Sequence, residues 1–156
     1  MKPGLGTQLR HLIELLDGAV GEAYDAAGLD YRPRYTPVMR ALAEGRPLTL
    51  GQIAERARIT QPAATQTVNL MLKADLVVST PGTLDARQKL VSLSPHGKAM
   101  LPKLQRCWAA TKGAADSLDA DMSHPLSEAL AEAIAALEQQ PFGERIRAAM
   151  TANKKR

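Results

Sequence analysis

Gln61, Thr65, Gln66 and Asn69 fall at the three- and four-residue spacings that return to one side of a helix. Side chains of this kind neither attack a substrate nor titrate near neutral pH; their chemistry is hydrogen bonding. A glutamine or asparagine amide carries a donor and an acceptor together, the pair that adenine shows in the DNA major groove, and a threonine methyl fits against the methyl of thymine. A polar outer face is also ordinary on any helix with one side buried. The reading therefore depends on what surrounds these four residues.

Their surroundings are basic. Residues 32–73 hold seven Lys and Arg against two Asp and Glu, and residues 74–106 hold five against two. The flanks reverse the sign, with two against five over residues 1–31 and one against six over residues 107–140, before a basic tail ending in Lys154-Lys155-Arg156. The net charge of +4 thus conceals a cationic centre between acidic flanks. Cations that neutralise phosphates release condensed counterions, so this distribution suits a nucleic acid, although a merely solvated basic face would look the same.

The elements that must position these groups follow from periodicity and caps. Leu9, Leu12, Ile13, Leu16, Val20 and Ala23 predict a long helix from about Gly6 to Ala27, with Gly28 as its stop. A turn over Tyr31–Tyr35 leads to a second helix through Val38 and Leu42, ending near Gly45. Thr49-Leu50-Gly51-Gln52 has the form of a capping box and opens a short third helix. Thr60 is placed to cap the helix bearing the polar set, with Pro62 in its first turn and Ala64, Val68, Met71 and Leu72 as its buried stripe. A hairpin follows, with Leu76 and Val78 alternating on one strand and Lys89, Val91 and Leu93 on the other, around a loop marked by Pro81-Gly82. Ser94-Pro95 starts a long helix carrying Met100, Leu101, Leu104, Trp108, Ala115 and Leu118. Ser123-His124-Pro125 starts another with Leu126, Leu130, Ala133, Ile134 and Leu137, and Phe142, Ile146 and Ala149 suggest a short last one. The fold class is mainly α with a small β-hairpin wing: a winged helix-turn-helix plus a helical region.

On these residues the chain resembles the MarR family of bacterial transcriptional regulators. The resemblance is carried by Leu48–Ala54, the helix from Thr60 to Lys73, Leu76-Val77, and above all Asp85-Ala86-Arg87 followed by Val91-Ser92-Leu93-Ser94-Pro95-His96-Gly97, and it spans roughly residues 5–140. It implies that the Thr60–Lys73 helix is the recognition helix, with Pro62 and Ala63 in its first turn at the DNA. It also implies that Arg87 is the wing arginine of the minor groove and that Asp85 supports the wing. Two departures stand out: Asp75 replaces a usual glycine just past the recognition helix, and Ser79 and Gln66 stand where relatives often carry basic residues. Aspartate tolerates a left-handed backbone better than most residues. DNA affinity is then expected to lean on Lys73, Arg87, Lys89, Arg56 and Arg58.

The same resemblance implies a homodimer built from an amino-terminal helix (residues 1–31) and a carboxy-terminal helical region (residues 94–156) around the DNA-binding region (residues 32–93). Two recognition helices meet half-sites about one helical turn apart, so a pseudo-palindromic operator is the expected partner. Release by a small aromatic or lipophilic effector is implied as well, with Tyr24, Tyr31, Tyr35, Met39 and Trp108 as candidates to line its pocket; plain packing is an equal reading of each. A winged-helix interaction or architectural module without operator specificity is the alternative from another class.

Other chemistries find little support. Cys107 is the single cysteine, which excludes an intramolecular disulfide and a cysteine zinc site; an inert packed thiol fits it better than a redox sensor. His11, His96 and His124 lack metal-ligand spacing, Asp116, Asp119 and Asp121 read as a solvated linker, and no phosphate-binding glycine loop or nucleophile elbow occurs. No enzyme activity, cofactor or metal is expected. No apolar run approaches the roughly 18 residues of a membrane span and no signal segment is evident, so the expected location is the cytoplasm, at the nucleoid.

Overall fold

A computed structural model describes residues 2–153, so the Lys154–Arg156 tail lies outside the described residues. The chain forms two compact units that meet in sequence at Ala109 and Ala110. The first contains α1 (Leu5–Ala26), a 3-10 turn (Pro33–Tyr35), α2 (Thr36–Leu42), α3 (Leu50–Ala57), α4 (Gln61–Lys73), β1 (Val77–Pro81), β2 (Lys89–Leu93) and the start of α5 (Pro95–Asp121). Its core is aliphatic and aromatic, built on Tyr24, Val38, Met39, Leu42, Ile53, Ala64, Met71, Leu76, Val91 and Leu104.

Local chemistry sets where the helices begin and end. The Gln52 amide donates to Thr49 Oγ1 at 3.2 Å while the Thr49 amide donates to Gln52 Oε1 at 2.9 Å, completing the capping box at α3. Thr60 Oγ1 accepts from the Ala63 amide at 3.3 Å at the start of α4. Both helices stop through a left-handed residue that is not glycine: Arg58 (φ 53°) after α3 and Asp75 (φ 56°) after α4. In each case the next amide reaches back to the last turn, Ile59 to the Ala54 carbonyl and Leu76 to the Met71 carbonyl, which satisfies otherwise orphaned acceptors.

Two details of burial correct the sequence reading. On α4 the buried side is Ala64, Thr67, Val68 and Met71, whereas Leu72 is 37% exposed because a four-residue step beyond Val68 carries it to the rim of the stripe. On β1 the phase is reversed: Val77 is buried and Val78 points out. The antiparallel register explains this, since Val77 pairs with Leu93 and Ser79 with Val91, so the inward positions of β2 dictate those of β1. Leu76, already buried, precedes the strand rather than belonging to it.

A tight junction joins the hairpin to α5. Ser94 Oγ donates to the Asp75 carbonyl at 2.5 Å and accepts from the Gly97 amide at 2.9 Å, and the Ser94 amide donates to the Leu76 carbonyl at 3.0 Å. Gly97 lies so close to Leu76 that a Cβ there would stand 2.2 Å from the Leu76 carbonyl oxygen. The Ser94-x-x-Gly97 spacing is thus a cap plus a backbone contact that admits no side chain.

The second unit holds the rest of α5, α6 (Leu126–Gln139) and α7 (Phe142–Asn153). The start of α6 is held by Asp119, whose carboxylate accepts from both the amide and the hydroxyl of Ser127. Ser123 is not the cap that its Ser-x-Pro context suggested. No side chain of α6 or α7 is buried, and Leu130, Ile134, Leu137, Phe142, Ile146 and Met150 all stand exposed.

Candidate nucleic-acid interface

With its apolar side closed against the core, α4 turns the predicted residues outward: Gln61, Pro62, Gln66, Asn69 and Lys73 are exposed, and Ala63 and Thr65 are half-buried. Thr65 Oγ1 donates to the Gln61 carbonyl at 3.0 Å. Its proton is used inside the helix, and what Thr65 offers a partner is its methyl and its lone pairs. Lys73 closes the helix at its carboxy-terminal end.

Backbone geometry shapes the wing between β1 and β2. Gly82 donates to the Gln88 carbonyl, Gln88 donates to the Asp85 carbonyl, and a Cβ on Gly82 would lie 2.5 Å from the Asp85 oxygen, so the neck of the loop closes only on glycine. Asp85 Oδ1 accepts from the Arg87 amide at 2.9 Å. The carboxylate is therefore engaged with backbone, and the exposed Arg87 guanidinium has no salt bridge among the described residues. Lys89 is exposed at the first position of β2, opposite Pro81.

The remaining cations divide. Arg56 is paired with Glu44 Oε2 at 3.2 Å beside an open depression lined by Pro37, Arg40, Ala41, Glu44 and Ala57, so its charge is partly offset. Arg58 is exposed in the turn between α3 and α4. A cation the motif did not single out is Arg34, in the 3-10 turn, whose Nη2 donates to Gln66 Oε1 at 3.1 Å. The two are 32 residues apart, and no local spacing relates them; only the basic excess of residues 32–73 hinted at it.

Tyr24, Tyr31, Tyr35 and Met39 are buried and Trp108 is half-buried. The rings pack edge to face, with centroids 4.8 Å apart for Tyr24–Tyr31 and 5.5 Å apart for Tyr31–Tyr35. Trp108 Nε1 donates to Tyr24 Oη at 3.1 Å, Tyr31 Oη and Thr36 Oγ1 are 3.1 Å apart, and Arg40 lies over the Trp108 ring at 4.8 Å. Burial pushes the Tyr31 phenol well above its ordinary range, so it stays protonated. As arranged, these side chains fill one another's space. Cys107 is half-buried beside the core. Asp116 pairs with Lys112 at 2.7 Å, Asp119 serves Ser127, and among the described residues no three His, Cys, Asp or Glu side chains converge on a metal position.

Comparison with known proteins agrees with this geometry. Residues 28–88 match the model of the MarR family. An uncharacterized HTH-type transcriptional regulator of Staphylococcus aureus is 33% identical over 60 residues, which cover 38% of this chain and 41% of that relative's length. The M. tuberculosis transcriptional regulator MOSR, solved in complex with DNA, superposes with a TM-score of 0.67 at 22% identity, over 92% of this chain and 99% of that one. NadR, solved in complex with 4-hydroxyphenylacetate, gives a TM-score of 0.56 at 20% identity, over 87% and 93% of the two chains. At such identities the structures establish a shared fold. Family match, capped helices and glycine-necked hairpin coincide on one stretch: residues 28–88 are similar to the MarR family and lie within a winged helix-turn-helix fold.

Proposed function

We propose that this protein is a sequence-specific DNA-binding transcriptional regulator, a repressor that binds a pseudo-palindromic operator as a homodimer. The observation that carries the reading is the division of labour on α4: its apolar side is consumed by the core while an uncharged amide-and-hydroxyl face is left exposed beside the exposed wing arginine. Gln61, Thr65, Gln66 and Asn69 read base edges, Lys73 and Lys89 meet phosphates, and Arg87, oriented through Asp85, enters the adjacent minor groove. Homodimerisation is supported by the large apolar side chains left exposed on α1 (Leu5, Leu9, Ile13, Leu16), on α6 and on α7, since each helix by itself offers apolar surface that a partner can bury. The fold shared with a DNA-bound and a small-molecule-bound regulator supports operator binding and release by a small aromatic or lipophilic effector, for which the Tyr24–Tyr31–Tyr35–Met39–Trp108 cluster is the candidate pocket once its rings part. No helix among the described residues is long and apolar enough to cross a membrane, and a DNA partner implies a cytoplasmic, nucleoid location.

Selection from a randomised duplex library tests the proposal. The full-length protein is expected to enrich an inverted repeat with half-site centres about 10 base pairs apart. Retention of duplexes without any enriched sequence would instead support an architectural module.

A further inference from the structure

Gln66 is the one amide of the α4 face whose side chain is already engaged by another side chain among the described residues. Its partner, Arg34, projects from a well-fixed turn: Pro33 restricts the backbone, Tyr35 is buried, and the Tyr35 amide donates to the Arg32 carbonyl at 2.9 Å. A solvated glutamine amide flips freely and can present its oxygen or its nitrogen to a ligand. A guanidinium removes that freedom, because it has only donors and accepts nothing. With Arg34 on Oε1, the two hydrogens of Nε2 become the unengaged end of the side chain.

The geometry points to Arg34 as a specificity-determining positioning residue that makes Gln66 a hydrogen-bond donor toward the base edge. This inference rests on the reading of α4 as the base-contacting helix. Bidentate pairing with adenine needs the amide oxygen to accept from N6 while the nitrogen donates to N7. Oε1 retains a second lone pair, but a base donor using it must approach beside the Arg34 positive charge, whereas the Nε2 hydrogens meet no such competitor. Guanine presents two acceptors in the major groove and thymine one, while adenine and cytosine each present an amino group to that edge. The Arg34–Gln66 pair therefore selects guanine or thymine where an unrestrained glutamine selects adenine.

The test uses the full-length protein and a duplex library with a randomised core, sequenced after selection by wild type, Gln66→Ala, Thr65→Ala, Arg34→Ala and Arg34→Lys. Gln66→Ala is expected to flatten one position in each half-site, and at that position wild type prefers guanine or thymine by about tenfold. Arg34→Ala shifts that position toward adenine and leaves its neighbours unchanged. Arg34→Lys keeps the wild-type preference, since an ammonium is also donor-only. Adenine at the Gln66-dependent position in wild type overturns the inference. So does an Arg34→Ala variant that binds every sequence more weakly with its preferences intact, the behaviour of a simple phosphate contact. A different failure marks the underlying reading: if neither Gln66→Ala nor Thr65→Ala alters any position of an enriched motif, α4 is not the reading helix.

Discussion

Helices α4 and α6 are nearly the same length, 13 and 14 residues, and both carry an apolar stripe at helical spacing. Their fates differ. On α4 the stripe is closed by α3, β1 and the core, so Ala64, Val68 and Met71 are at most 3% exposed, and apart from Pro62 and the rim residue Leu72 the exposed residues are polar. On α6 the stripe itself faces outward, with Leu130, Ile134 and Leu137 at 40%, 56% and 43% exposure. A helix satisfied within its own chain can devote its free side to recognising something else. A helix whose apolar side is open calls for a second apolar surface, and in the proposed homodimer a second copy of this chain supplies it.

Charging the open stripe is the strongest way to break this contrast. Ile134→Asp combined with Leu137→Asp is expected to convert a dimer to a monomer in sedimentation and to weaken operator binding by about a hundredfold or more, because two linked reading heads become one. Unchanged sedimentation would remove α6 from the interface.

A more local effect probes the closed region. Gly97→Ala forces a side chain toward the Leu76 carbonyl and should cost about 2–3 kcal/mol in urea unfolding, the scale of an overpacked site. A wild-type midpoint would mean the hairpin and α5 are not locked at that contact.

Arg87→Ala sharpens the contrast from the recognition side. It should leave folding intact, lower affinity about tenfold on all duplexes, and make the salt dependence shallower by ~1 phosphate equivalent per wing. A change confined to base preference would reassign Arg87 to sequence readout.

The smallest effect is electrostatic and belongs to the second unit. Hydrogen bonds from Ser127 hold the Asp119 carboxyl below its ordinary range, so its contribution is present at neutral pH and is lost as pH falls through that lowered value. Asp119→Asn should therefore melt slightly below wild type at pH 7, and the gap should close in acid. A gap independent of pH would show that the charge of Asp119 is not what holds the start of α6.

Much of the α3–α4–wing region was legible because its signals are local. The capping box at α3, the Thr60 cap of α4, an amide face at helical spacing and Pro81-Gly82 depend on neighbours within a few residues. The left-handed Asp75 was also readable, from the tolerance of aspartate for that backbone. The phase of β1 was not, since it is imposed by Leu93 and Val91 across the hairpin, and Val77-Val78 is apolar in either phase. Nor was the Arg34–Gln66 contact, which exists only after α2 and α3 bring the first turn back to α4. Asp119 displaced Ser123 at α6 for the same reason: a partner eight residues from Ser127 reached its amide from the preceding helix.

Operator recognition by the α4 face and the wing is the central claim, and a salt titration tests it most directly. Affinity of the full-length protein would be measured from about 50 to 300 mM salt on a selected inverted-repeat duplex and on a shuffled duplex of the same composition. Steep salt dependence is expected on both, with a preference for the inverted repeat of about a thousandfold or more that persists as salt rises. Equal affinity for the two duplexes at every salt concentration would contradict operator recognition.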